Sequence, residues 1–288
     1  MRHEAIPRPE RGPGGRLSWS GCDLVDVADR FGTPCYVLDS ASLSASLQNF
    51  RAAFSDAGLP IEVRYSVKSN PVPAALAQLA AEGAGFEVGS LWELELLERL
   101  GVDGSHIVVT GLRDGFPLAA RASEIGVDLL TVTTIHQARC LAARARALPR
   151  RLPVGITVCP GLLRGRFDLT LNTGARGSVF GLAPGSAEID EAIHLLAAED
   201  RIDLVGLHTH IGSGVRGAGP YRRALALLAQ VAERAARQGR PLRVWDIGGG
   251  FGLDPTPILR PLAVLASLLG RGARPSVRGA RPCVLDGV

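Results

Sequence analysis

The sequence predicts an α/β fold, a (β/α)8 TIM-type barrel that is incomplete at its last strand. Three observations lead there. Short β-branched runs alternate with Ala/Leu/Arg-rich stretches of helical length over almost the whole chain. The runs are continuously apolar, as in parallel strands covered on both faces. Polar and Gly-rich residues gather just after several different runs, where a barrel builds its working face. A doubly wound sheet would concentrate them near one switch point.

In order, strands are predicted at Ile61–Val67, Gly85–Val88, His106–Val109, Asp128–Val132, Pro153–Val158, Ile202–Thr209 and Leu242–Ile247. Helices fill the gaps, among them Pro73–Glu82, Leu91–Leu100, Ile135–Ala147, Ser186–Ala198 and Tyr221–Gln238. An isolated strand, Pro34–Leu38, and a helix, Ser42–Ala57, precede the series. No low-complexity linker divides the middle, so one domain is expected over 19–260. Before it, 1–18 is expected as a disordered lead-in, because Met1–Gly15 is rich in Arg, Pro and Gly and has no apolar signal core. After it, 261–288 reads as a divergent Arg/Gly/Pro-rich tail.

Hydrophobic residues at 46% with 21% charged residues describe a globular chain. No apolar run approaches the roughly 18–20 residues of a membrane span, and a cytoplasmic location with no membrane partner is expected. The net charge of +4 is spread out and aromatics are only 5%, against a nucleic-acid partner. The five cysteines are scattered without the paired spacing of a zinc site, and no metal is expected.

Of 32 basic residues a single one is lysine, Lys68, in Tyr65-Ser66-Val67-Lys68-Ser69-Asn70-Pro71. Arginine serves everywhere else, but its guanidinium stays protonated and cannot attack a carbonyl as a neutral amine. A lone lysine behind a hydrophobic strand is therefore a candidate Schiff-base nucleophile. The alternative is an ordinary surface lysine. His210 stands in His208-Thr209-His210-Ile211-Gly212-Ser213, and a second Gly-rich turn is Asp246-Ile247-Gly248-Gly249-Gly250-Phe251-Gly252. Such glycines let backbone N–H groups approach phosphate oxygens, or form a plain flexible turn. His208 lies deeper in its strand and reads as structural.

Gly32-Thr33-Pro34-Cys35-Tyr36-Val37-Leu38, the Lys68 segment, the His210 segment and the Gly248–Gly250 turn occur in that order. Together they resemble the ornithine/diaminopimelate/arginine decarboxylase family, pyridoxal-phosphate-dependent enzymes of the alanine-racemase fold (fold type III). The resemblance runs from about Gly32 to Gly252. It implies pyridoxal 5'-phosphate as cofactor, Lys68 as the aldimine lysine, and His210 stacked on the cofactor ring. It implies a phosphate grip by Ser213, Gly248, Gly249 and Gly250, with Glu87 orienting the lysine or the cofactor. Glu93 and Arg113 are further contacts or surface groups, and Asp246 a contact or a turn-shaping residue. The implied activity is amino-acid decarboxylation, first of diaminopimelate in lysine biosynthesis, by a homodimer acting on a small-molecule amino acid. A decarboxylase of a siderophore or other secondary pathway, or a racemase, shares the fold and the lysine.

Several positions depart from the family pattern. Leu91-Trp92 stand where it has two small residues before Glu93. An expected arginine is absent from Thr157-Val158-Cys159-Pro160, and Ser178-Val179-Phe180-Gly181 lacks the family's lysine. No glutamate follows Gly252, where the family pairs one with the pyridine nitrogen. Cys283-Val284-Leu285-Asp286 only faintly matches the family's cysteine motif, and the family's C-terminal β-domain is not read here. A truncated or inactive relative, or a regulator binding a partner decarboxylase, is therefore the rival expectation. On that expectation the isolated chain is poorly soluble and turns over little.

Overall fold

A computed structural model describes residues 9–58, 61–161, 180–215 and 217–251. The expected tail 261–288 and the segments around Ser178 and Cys283 lie outside the described residues. Contacts cluster the chain into two units, one of Met1–Leu130 with Ala147–Pro153, the other of Thr131–Arg146 with Val154–Val288.

The first unit opens with strands β1 (Glu10–Arg11), β2 (Leu17–Trp19) and β3 (Cys22–Asp23) in an antiparallel sheet. Part of the expected disordered lead-in is thus a hairpin. Its turn is Gly12-Pro13-Gly14-Gly15, with positive φ at Gly14 and Gly15, and Glu10 pairs with Ser18 across it. Composition rich in Gly and Pro signals a tight turn as readily as disorder. Asp23 caps helix α1 (Leu24–Phe31) through the Val25 and Asp26 N–H groups, and Arg16 pairs with Asp23 at 2.6 Å. Residues 34–38 form no strand. Tyr36, Val37 and Leu38 are exposed, so their β-propensity meets no partner edge.

Helix α2 (Ser40–Ser55) begins at an Asp39 cap that accepts from the Ala41 and Ser42 N–H groups. Strand β4 (Arg64–Ser66) then alternates with α3 (Pro73–Ala81), β5 (Gly85–Val88), α4 (Leu91–Arg99), β6 (Ile107–Thr110), α5 (Phe116–Ile125) and the start of β7 (Leu129–Val132). β4, β5 and β6 are parallel, in registers that set Ser66 beside Glu87 and Glu87 beside Val108. Phe86, Leu76, Leu79, Leu94, Leu97, Ile107 and Leu118 are fully buried. Their burial drives the assembly, at roughly 1.5–3 kcal/mol for each large side chain.

The second unit holds the rest of β7, then α6 (Ile135–Arg144), β8 (Leu152–Thr157) from Val154 on, α7 (Ala187–Ala197), β9 (Ile202–His208), α8 (Gly219–Arg237) and β10 (Val244–Asp246). β7, β8, β9 and β10 neighbour one another in sequence order. Arg139 bridges α6 to α7 through both Glu191 oxygens at 2.7 and 2.9 Å. β10 pairs parallel to β9, Asp246 opposite His208. Gly206 permits that pairing, since a Cβ there would lie 2.7 Å from the Val244 carbonyl oxygen. α8 buries Ala224, Leu228, Val231 and Ala235, a single stripe at helical spacing. From β4 to β9 each strand is followed by a helix, the succession of an incomplete (β/α)8 barrel with seven strands in its sheet among the described residues.

Candidate functional site

In the first unit the chemistry lies at the ends of β4, β5 and β6. β4 stops at Ser66 because Val67–Ser69 winds into one turn of 3-10 helix, with Val67 buried and Lys68 turned outward. Lys68 Nζ lies 3.3 and 3.4 Å from the two Glu87 carboxylate oxygens. Glu87 also accepts a hydrogen bond from the Ser66 hydroxyl, whose position the β4–β5 register fixes. Burial pushes the Glu87 carboxyl up. The Lys68 ammonium, the Ser66 hydroxyl and the nearby Thr110 hydroxyl outweigh it and hold the group below the ordinary carboxylate range. Thr110 makes no full hydrogen bond of its own, so its contribution to Glu87 is the weaker one.

Lys68 stands open to solvent. Its side chain is 66% exposed while that of Glu87 is 15% exposed. The strand's burial passes to Val67, and the long lysine stem carries the ammonium clear of it. Glu93 stands apart from Lys68. It starts α4, where Ser90 caps the Glu93 N–H and the Glu93 carboxylate accepts the Gly89 N–H at 2.7 Å, a capping box shifted by one residue. Arg113 is exposed, and its neighbour Asp114 accepts the Leu91 N–H at 2.6 Å, tying the loop after β6 to the start of α4. Trp92 is exposed at that same helix start.

In the second unit the end of β9 and the turn after β10 interlock. His208 is buried, its Nδ1 3.1 Å from the Thr157 hydroxyl, and Thr209 donates its hydroxyl to the Val158 carbonyl at 3.0 Å. Both are structural. His210 is half-buried and packs on the glycine turn. A Cβ on Gly248 would lie 3.1 Å from its Nδ1, and one on Gly250 would lie 3.4 Å from its Cε1. Asp246 shapes the turn from both ends, accepting the Gly248 N–H on its carboxylate at 2.8 Å and the Thr209 N–H on its carbonyl at 2.9 Å.

Gly250 comes closest to a neighbour. Its missing Cβ would sit 1.8 Å from the Gly212 carbonyl oxygen, its φ is +81°, and its carbonyl accepts the Val215 N–H at 2.8 Å. Ser213 and Gly214 are exposed beside it. The N–H groups of Ser213, Gly214, Gly249 and Gly250 have no hydrogen-bond partner among the described residues. Such donors, with positive φ at Gly214 and Gly250, form a nest for an anion. Behind the turn Tyr221 stacks on Phe251, with centroids 4.9 Å apart and planes 10° apart, and its hydroxyl donates to the Gly249 carbonyl at 3.2 Å.

The first unit thus offers a primary amine paired with a carboxylate, and the second a flat imidazole against a bare N–H nest. Taken each by itself, the amine suits an aldehyde, and the imidazole with its nest suits a phosphorylated aromatic ring. Sequence reasoning missed Ser66, Thr110 and Tyr221. Ser66 was legible, two residues before Lys68 in a strand, but its partner Glu87 emerges only from the register.

Comparison with known proteins gives the class of protein. Residues 40–264 match the family described as pyridoxal-dependent decarboxylase, pyridoxal binding domain. The chain belongs to that family of pyridoxal-phosphate-dependent carboxy-lyases. Among particular relatives, it is 33% identical over 244 residues to the diaminopimelate decarboxylase of Pseudomonas aeruginosa, covering 84% of this chain and 57% of the relative. Identity to the Deinococcus radiodurans enzyme is also 33%, over 83% of this chain and 58% of that one. The structure of diaminopimelate decarboxylase from M. jannaschii in co-complex with L-lysine superposes with a TM-score of 0.77 at 23% identity, over 88% of this chain and 58% of that one. At that identity the likeness establishes the barrel fold. Lysine decarboxylase from Selenomonas ruminantium superposes with a TM-score of 0.66 at 25% identity, over 89% and 63%. The chain spans somewhat over half the length of the curated relatives it matches. Among the described residues no helix is long and apolar enough to cross a membrane.

Proposed function

We propose that residues 19–260 form the cofactor-binding barrel domain of a pyridoxal-phosphate-dependent amino-acid decarboxylase of the diaminopimelate type, with Lys68 as its covalent anchor. The observation that carries this reading is the chain's one lysine, set at a strand end against a mostly buried carboxylate inside the family-matched span. When bound, the cofactor supplies a sink for the electron pair left as carbon dioxide departs. The rest falls to the chain's own groups. Lys68 Nζ holds the cofactor, and Glu87, kept ionised at neutral pH, orients that amine and accepts its hydrogen bond. His210, backed by Gly248 and Gly250, offers a flat face for the ring. The N–H groups of Ser213, Gly249 and Gly250 bind the phosphate without adding a charge. A small amino acid is the substrate, and a cytoplasmic homodimer the assembly.

The test is visible absorption of the purified full-length chain with pyridoxal phosphate, before and after borohydride, beside Lys68→Ala. A reducible band present in the parent and lost in Lys68→Ala is the expected result. No band, or an equal band in the variant, overturns the reading and favours a non-catalytic relative.

A further inference from the structure

We propose that Tyr221 is a positioning residue for the anion nest, aiming the Gly250 N–H at the phosphate through the hydrogen bond from its hydroxyl to the Gly249 carbonyl. The inference rests on the proposed cofactor reading and adds a residue that reading does not need. The Gly249 carbonyl and the Gly250 N–H belong to one planar trans peptide, so they point in opposite directions. Tyr221 holds the carbonyl at 3.2 Å from the first turn of α8, and the N–H must then face away from that helix. The next peptide is held as well, by the Val215 N–H on the Gly250 carbonyl at 2.8 Å.

Between two fixed carbonyls the Gly250 N–H is left with no partner among the described residues. A glycine peptide has little steric reason to keep one orientation, since glycine populates both signs of φ. Tyr221 supplies the reason. Its ring cannot swing, because it is stacked on Phe251, and Phe251 pairs with Val215 across a parallel bridge. Burial pushes the Tyr221 hydroxyl up to about 12, so it remains a protonated donor across the physiological range.

Tyr221→Phe keeps the stacked ring and removes only the donor. Dissociation constants are measured for the full-length parent and variant with pyridoxal phosphate, with pyridoxal, which lacks the phosphate, and with inorganic phosphate. Thermal midpoints are recorded alongside. The expected result is about threefold to tenfold weaker binding of both phosphate-bearing probes, the scale of one neutral hydrogen bond. Pyridoxal affinity should stay unchanged, and the thermal midpoint should fall by no more than the few degrees that one lost hydrogen bond costs. Equal affinities in parent and variant overturn the proposal and leave the Lys68 reading intact. Equal losses for pyridoxal and pyridoxal phosphate, with a lowered midpoint, overturn it in favour of a structural role. Phosphate binding that depends on Tyr221, beside an absorption band that does not depend on Lys68, would support the nest and refute the covalent anchor. A parent chain that binds none of the three overturns both.

Discussion

Replacing Gly250 by alanine should unfold the turn after β10 far more than the same change one residue earlier. The new methyl of Gly250→Ala would lie 1.8 Å from the Gly212 carbonyl oxygen and 2.9 Å from its carbon, both backbone atoms that no rotamer change can move. Relief requires the two loops to part by more than an ångström, which strains the hydrogen bond between Val215 and Gly250. Left-handed φ at a residue bearing Cβ costs about 1–2 kcal/mol, and the lost hydrogen bond about 0.5–1.5 kcal/mol. Together they amount to about 1.5–3.5 kcal/mol before any overpacking is counted. At Gly249 nothing lies within 4 Å of a built Cβ and φ is not left-handed, so Gly249→Ala should fall within about 1 kcal/mol of the parent. Urea unfolding of parent and both variants, with a common slope, reads the difference directly. If the two variants unfold within about 1 kcal/mol of each other, the interlocking of the Gly212 and Gly250 loops is refuted.

Two further expectations concern the core and the ion pair. Because the native Glu87 carboxyl titrates below its ordinary value of about 4.3, it stabilises the fold fully above that pH. The contribution is lost as pH falls through the lower native value, so Glu87→Gln should flatten the acid limb of a urea-midpoint profile below about pH 4.3. An unchanged acid limb would remove Glu87 from the ionised pair. Leu228 is 1% exposed in the buried stripe of α8, and Leu228→Ala should cost about 2–5 kcal/mol in the same assay, whereas the exposed Trp92→Ala should cost well under 1 kcal/mol.

How much of this was legible in the sequence differs from element to element. Gly85–Val88 was read to the residue, because an apolar run bounded by glycines has sharp ends. Helices α3, α4 and α7 ended within a residue of expectation at Ala81, Arg99 and Ala197. Strand β4 was read too long, since Ile61–Val63 has the right residue types but meets β5 only through the Gly85 N–H on the Val63 carbonyl at 3.1 Å, and Val67–Ser69 turns away. Residues 34–38 failed for the same reason, as strand formation depends on a partner that sequence does not name. At the site, glycine patterning pointed to the turn after β10, but its need arises from a carbonyl in another loop, Gly212, invisible to any local rule. The exposure of Lys68 follows from its place, because burial of a strand does not extend to a long side chain just past its end. Tyr221 carried no sequence signal, being one aromatic in the first turn of an Ala- and Arg-rich helix.

The position of Lys68 has a practical corollary for handling this molecule. As the only lysine, standing outward on a single 3-10 turn, it is the one side-chain amine open to acylation and the one bond open to a lysine-specific protease. Such a protease divides the chain once, into 1–68 and 69–288, and an amine-directed reagent leaves at most one side-chain tag. Mass spectrometry of the intact chain after limited labelling therefore counts occupancy at one defined atom. Any ligand that takes the Lys68 amine should register as a missing tag and a resistant bond, with no other lysine to blur the count.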